Sequence, residues 1–295
     1  MFFPYESSDL FALARRARRQ PSILMALLAT AGIFAAALVI PLAASEIIYA
    51  DAGGSDAFMD SVWFLVFPFL LMILFIWGWI KIFERRPLGT LGFTRPGALK
   101  SFATGLGAGF VMIAAVVALM ALFGTVAFES GATRPTGTAA LGSVLVFLFA
   151  FLCQCSGEEI LFRGWLMPVI GARYRPVTGA VISSVVFIAF HGSIEPMALL
   201  NLSLFTAFAV FYCLKAGNVW GICGWHTAWN WTQNNFFGLN TTGHEFTSGT
   251  ILDLKATGAR LLTGGDFGPE TSIFCTLVLV AGLVWILRGA RRQVV

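Results

Sequence analysis

Charge is scarce in this sequence. Asp, Glu, Lys and Arg make up 12% of its 295 residues, about half the share of roughly 25% in an average soluble domain. That deficit excludes an ordinary soluble enzyme. Histidine is scarcer still, with three residues, and no H-E-x-x-H occurs, so the usual zincin helix is absent. The five cysteines (Cys153, Cys155, Cys213, Cys223, Cys275) form no C-x-x-C pair and all lie in apolar runs. They read as small hydrophobes, with no disulfide framework implied. There is no internal repeat and no low-complexity tract. The formal net charge of +4 does not call for nucleic acid, because cytoplasmic loops alone give a membrane protein positive charge.

Apolar residues are abundant instead, at 58% with a mean hydropathy of +0.82. They cluster in runs of about 20 broken by short polar segments, the length that spans a hydrocarbon core as helix. The pattern predicts an all-α polytopic membrane protein, a bundle of about eight transmembrane helices near 23–44, 62–83, 102–128, 140–170, 177–191, 197–214, 219–238 and 271–287. Alternate connections then receive 16 of the 19 basic residues on one side, counting Arg163 and Arg86 among them, and Arg134, Lys255 and Arg260 on the other. This asymmetry places both termini in the cytoplasm. The expected divisions are a cytoplasmic amphipathic segment (1–21, with Phe2, Phe3, Leu10 and Phe11 beside the Arg15–Arg19 cluster), three helices in 22–137, a functional core of four helices in 138–238, an outer loop 239–270, and a last helix with basic tail in 271–295. Ala43–Ala44–Ser45 resembles a signal cleavage site, but the preceding apolar run is longer than a signal-peptide h-region of about 7 to 15 residues.

Ionisable residues inside spans cost on the order of 2.5 to 3.5 kcal/mol each even on the lenient insertion scale, and so call for an explanation. Three spans carry them: Glu158, Glu159 and Arg163 in the fourth; His191 at the end of the fifth; His226 and Asn230 in the seventh. Glu158 and Glu159 project about 100° apart on a helix and cannot address one spot. Glu159 and Arg163 stand at i, i+4 with the acid N-terminal, suited to an intrahelical ion pair. Glu158 is left without a local cation, a candidate proton acceptor or donor. His226 and Asn230, again at i, i+4, present an imidazole and a carboxamide on one face, able to donate to a developing oxyanion. If the fourth helix runs to Ile170, all three sites reach the same depth near mid-membrane. His244, in the outer loop, reads as a solvated residue. Each motif alone also fits interhelical hydrogen-bond glue; three at one depth with complementary chemistry favour a site.

In this order, Glu158-Glu159-x-x-x-Arg163, Phe187-x-x-x-His191 and His226-x-x-x-Asn230 resemble the three motifs of the CPBP family, the CAAX-protease and bacteriocin-processing (Abi) membrane endopeptidases. The resemblance extends over about Leu141 to Phe237, and Thr263-Gly264-Gly265-x-Phe267-Gly268-x-Glu270 also looks like a segment of bacterial members. It implies intramembrane hydrolysis of a membrane-embedded or lipid-anchored peptide in a bacterial inner membrane. Glu158, with His191, would activate water; His226 and Asn230 would bind the oxyanion; Glu159, Arg163 and Phe187 would support them. No cofactor is expected on a glutamate mechanism; the alternative is Zn²⁺ held by Glu158, His191 and His226. A non-enzymatic immunity scaffold or proton-coupled transporter is the competing function, and a transporter would be expected to show internal pseudo-symmetry.

Overall fold

The computed structural model describes residues 5–129, 131, 134–244, 246 and 249–290; Phe2, Phe3, Arg291 and Arg292 lie outside them. The chain is mostly helical: α1 (Asp9–Ala14), α2 (Ile23–Ile48), α3 (Ser55–Met59), α4 (Phe67–Trp79), α5 (Ala98–Leu122), α6 (Leu141–Glu159), α7 (Met167–Arg173), α8 (Pro176–Phe190), α9 (Pro196–Ala216), α10 (Trp220–Trp231), α11 (Arg260–Thr263) and α12 (Ile273–Ala290). Among the described residues, five helical segments are long and apolar enough to cross a membrane: Ile23–Ile48, Val62–Glu84, Ala98–Leu122, Gly137–Arg173 and Pro196–Ala216. The apolar helices Pro176–Phe190 and Ile273–Arg288 are shorter. Large apolar side chains such as Leu28, Val39, Val111, Leu145, Val185 and Leu277 point outward, the surface expected of an integral membrane protein facing lipid tails.

Several boundaries differ from the expected ones for identifiable reasons. The run 102–128 does not stay helical: α5 stops at Leu122, Gly124 turns the chain at φ 68°, and β1 (Val126–Phe128) pairs antiparallel with β2 (Leu254–Ala256). This small sheet ties the end of α5 to the outer loop. The fourth span is one long helix, but its middle, Ile160–Leu166, is wound as a π-helix between α6 and α7. A second π-segment, Thr232–Phe236, extends α10. Such wide turns shift the phase of the side chains beyond them and are frequent at functional sites. Arg163 was counted among loop charges, yet it lies inside this helix and is fully buried. Arg86 is buried too, bound to the equally buried Glu84 at 2.6 Å, while Trp79 and Trp165 donate their Nε1–H groups to the same carboxylate.

Two packed clusters flank the functional residues. One joins α1, α5, α9, α10 and α12 through Leu10, Phe11, Ile113, Phe208, Trp225 and Leu279; the other joins α2, α4, the Ile160–Leu166 π-segment, α7 and α8 through Ala26, Met72, Ile76, Trp165, Ile170 and Phe187. Leu10 and Phe11 are thus covered by the protein's own core. The seam between α5 and α10 is a very close one. A Cβ at Gly105 would lie 1.8 Å from the carbonyl oxygen of Gly221, so only glycine permits this approach. Within membranes, where lipid tails are as apolar as leucine, such small-residue contacts are a main source of helix association. The seam fixes the depth of α10, and with it His226 and Asn230.

Candidate active site

A cavity of about 260 Å³ lies between the two clusters, lined among others by Gln154, Glu158, His191, His226, Asn230 and Glu270. The three motifs are therefore brought to one space by α6, the end of α8, and α10. His191 is the residue that ends α8 rather than one inside it.

Glu158 projects from the last turn of α6, and Gln154, one turn earlier on the same face, donates to its Oε1 at 2.6 Å. The other oxygen, Oε2, is buried with no hydrogen-bond partner among the described residues. A buried carboxylate oxygen left open in this way marks a place for water or substrate. Gln154 also accepts from Asn230 Nδ2 at 3.2 Å, so one carboxamide couples the glutamate of α6 to the asparagine of α10. Sequence reasoning missed Gln154, although its i−4 spacing from Glu158 in an apolar helix was a readable signal.

Glu159 turns away from the cavity, as the 100° rotation requires. Its Oε1 accepts from Arg163 Nη1 at 3.2 Å and from His226 Nδ1 at 2.9 Å. Arg163 is held on its other sides by Thr206 Oγ1 at 2.6 Å and by the face of Phe187, 4.2 Å from its guanidinium carbon. Phe187 in turn stacks on Phe205, whose ring meets His226 edge to face. The motif residue Phe187 is thus the plate on which the cation rests, a desolvated cation–π contact.

Hydrogen bonds set the direction of both imidazoles. His191 Nδ1 lies 2.9 Å from the carbonyl of Phe187; a carbonyl only accepts, so the proton sits on Nδ1 and Nε2 carries the lone pair. His226 donates Nδ1–H to Glu159. Its Nε2 can donate as well only when the ring carries its second proton.

Among the described residues, no group of three His, Cys, Asp or Glu side chains is placed to hold a metal ion. Glu158, His191 and His226 share the cavity wall but do not form such a group. The outer loop, by contrast, contributes more than expected. His244 is exposed yet lines the cavity mouth, stacked on Phe246, and Glu270 enters the wall from the segment before α12. There, burial pushes its carboxyl up to about 7, against hydrogen bonds from Thr242 that lower it.

Residues 140–232, about a third of the chain, match the family model described as type II CAAX prenyl endopeptidase Rce1-like. This stretch is the Rce1-like segment. It begins at the start of α6 and ends just past Asn230, so it contains all three motifs and Gln154, while His244 and Glu270 fall outside. The match agrees with the CPBP resemblance carried by those motifs. No curated protein and no solved structure matches the chain.

Proposed function

We propose that this protein is an intramembrane endopeptidase that hydrolyses peptide bonds of membrane-embedded or lipid-anchored peptides with water activated by Glu158. The Rce1-like segment supports peptide hydrolysis as the reaction class. The observation that carries the mechanism is Glu158 itself: one carboxylate oxygen fixed by Gln154, the other buried without a hydrogen-bond partner among the described residues, on a side chain that lines a cavity shared with His191 and Asn230.

In this reading a water molecule sits on Glu158 Oε2 and gives up a proton as its oxygen attacks the scissile carbonyl carbon. His191, with its lone pair on Nε2, shares that proton. The carbonyl oxygen becomes an oxyanion, met by Asn230 Nδ2 and by the doubly protonated His226, whose charge Glu159 balances. The carbon–nitrogen bond then breaks, and the proton held by Glu158 and His191 passes to the leaving amine. The products are a carboxylic acid and an amine, and the glutamate returns to its starting state. No metal takes part in this scheme.

The same reading includes eight transmembrane helices, counting the two shorter apolar helices and the α10 segment beside the five long ones, with both termini in the cytoplasm of a bacterial cell and the loop 239–270 on the far side. The basic asymmetry supports that orientation, since moving Arg163 into the membrane removes one charge without altering the bias. The test is peptide cleavage by the purified protein compared with Glu158→Gln, which preserves shape and hydrogen bonding but not proton acceptance. Hydrolysis that persists in the variant would refute the assignment.

A further inference from the structure

Hydrogen bonds hold both the backbone and the carboxyl of Glu270, and no step above uses this residue. Gly268 precedes it at φ 107°, where a Cβ would lie 2.1 Å from the carbonyl oxygen of Asn240; only glycine allows the two stretches of loop to touch there. Gln233 Nε2 donates to that same Asn240 carbonyl at 2.6 Å, and Gly243 N–H donates to Phe267 O at 2.9 Å. Asn201 of α9 donates its Nδ2–H groups to the carbonyls of Glu270 at 2.8 Å and Ser272 at 2.9 Å. The backbone at Glu270 is thus fastened to α9, to the end of α10 and to the loop. Thr242, in a left-handed conformation at φ 52°, then brings its N–H and hydroxyl to Oε2 at 3.0 and 3.3 Å.

The cavity into which Glu270 faces has a one-sided chemistry. Its lining holds Glu158, Glu270 and three histidines, with aromatic walls that include Phe151, Phe205 and Trp229, and no Lys or Arg among the described residues. Arg163, the nearest buried cation by sequence, is spent on Glu159. A carboxyl group among aromatic faces, where the cationic wall group, the His226 imidazolium of the mechanism above, is already paired with Glu159, suits a positively charged guest. We propose that Glu270 is a specificity-determining residue that receives a cationic group of the substrate peptide, a Lys or Arg side chain or a free N-terminal amine, close to the scissile bond. A cavity of this volume is on the order of 8 Å across, about two residues of extended chain at roughly 3.3 to 3.6 Å each. The charge therefore falls within two residues of the bond that Glu158 attacks. The inference rests on the peptidase reading for its view of the ligand as a peptide. The upward-shifted carboxyl is in keeping with it, since a bound cation would complete the ionisation that burial opposes.

The test uses the full chain in bicelles and acylated peptides that are identical except for Lys or norleucine at one position. Binding is followed by the fluorescence of the protein's tryptophans, one of which, Trp229, lines the cavity. Glu158→Gln serves as the background, so that no peptide is consumed. Scanning the Lys along the peptide should locate a position where it binds roughly tenfold more tightly than norleucine, and Glu158→Gln/Glu270→Gln should lose that preference while binding norleucine as before. Equal binding of both peptides at every position, or a preference that survives Glu270→Gln, would overturn the proposal. Cleavage by the wild-type protein separates it from the reading on which it rests. Lys-selective binding without any cleavage would sink the peptidase and leave the cation site, whereas cleavage without Lys selectivity would do the reverse. In active protein, Glu270→Gln should raise KM about tenfold for Lys peptides and leave kcat unchanged; an equal fall in kcat for all peptides would assign Glu270 to the chemistry instead.

Discussion

Replacing Glu159 with Gln isolates the charge that holds the site together. Its Oε1 serves both Arg163, at 3.2 Å, and His226, at 2.9 Å, and the side chains of Glu159 and Arg163 are completely buried. Gln keeps an acceptor oxygen that can take both hydrogen bonds, but Arg163 becomes a buried cation without a counter-charge. Breaking a buried pair from one side costs about 3–5 kcal/mol in soluble proteins. Polar pairs between membrane helices couple by only about 0.6 kcal/mol on average, with a maximum near 1.7, because the unfolded chain in a membrane also finds partners. The contact of Arg163 with Phe187 and its hydrogen bond to Thr206 survive the change, which argues for the lower end of the first range. The expected loss is about 3 kcal/mol, and Glu159→Gln/Arg163→Met should recover most of it, giving a coupling above about 2 kcal/mol. Reversible SDS unfolding in bicelles of the wild type, both single variants and the double variant measures it. A coupling below about 0.5 kcal/mol would refute a desolvated ion pair and return Arg163 to a hydrated environment.

Three further expectations follow from particular contacts. Gly105→Ala places a methyl 1.8 Å from the Gly221 carbonyl and should cost about 1–3 kcal/mol of stability as overpacking, with activity falling because α10 carries His226 and Asn230; unchanged unfolding would contradict the seam. Asn230→Ala should lower kcat by roughly 10² to 10³ with little effect on KM, as loss of an oxyanion donor does; a change confined to KM would make it a binding residue. The Glu270 carboxyl, raised to about 7 by burial, is more protonated folded than unfolded, so it favours the folded state at low pH and that advantage is lost as pH rises through 7. Thermal unfolding at pH 6 and pH 8.5 should show a drop on the alkaline side that Glu270→Gln reduces, after allowing for Glu158, His191, His226 and His244 around the same cavity; identical pH profiles would contradict the shift.

Much of the core was legible because helical periodicity alone sorts Glu158 from Glu159 and pairs Glu159 with Arg163, independent of tertiary structure. The same rule exposes Gln154 at i−4 from Glu158, although it belongs to none of the three motifs. Arg163 was misplaced in the charge count for a related reason: a basic residue near a span's end looks like a loop charge until its buried partners, Glu159 and Thr206, are known. Neither π-segment has a periodic signature, since a wide turn changes phase only once packing selects it. The loop was least legible. Glu270 reaches the cavity through glycine turns and single hydrogen bonds to Thr242 and Asn201, contacts between residues far apart in sequence that no local pattern encodes.

The most direct test of the account is the turnover of a membrane-anchored peptide by the purified chain and by Glu158→Gln, each before and after exhaustive chelation, with the metal content of the protein measured in parallel. The account predicts that chelation leaves the wild-type rate unchanged, that the protein carries no stoichiometric metal, and that Glu158→Gln lowers turnover by roughly 10² to 10⁴ while folding survives. Reversible inactivation by the chelator, with one zinc per chain lost on His191→Ala or His226→Ala, would contradict the glutamate mechanism.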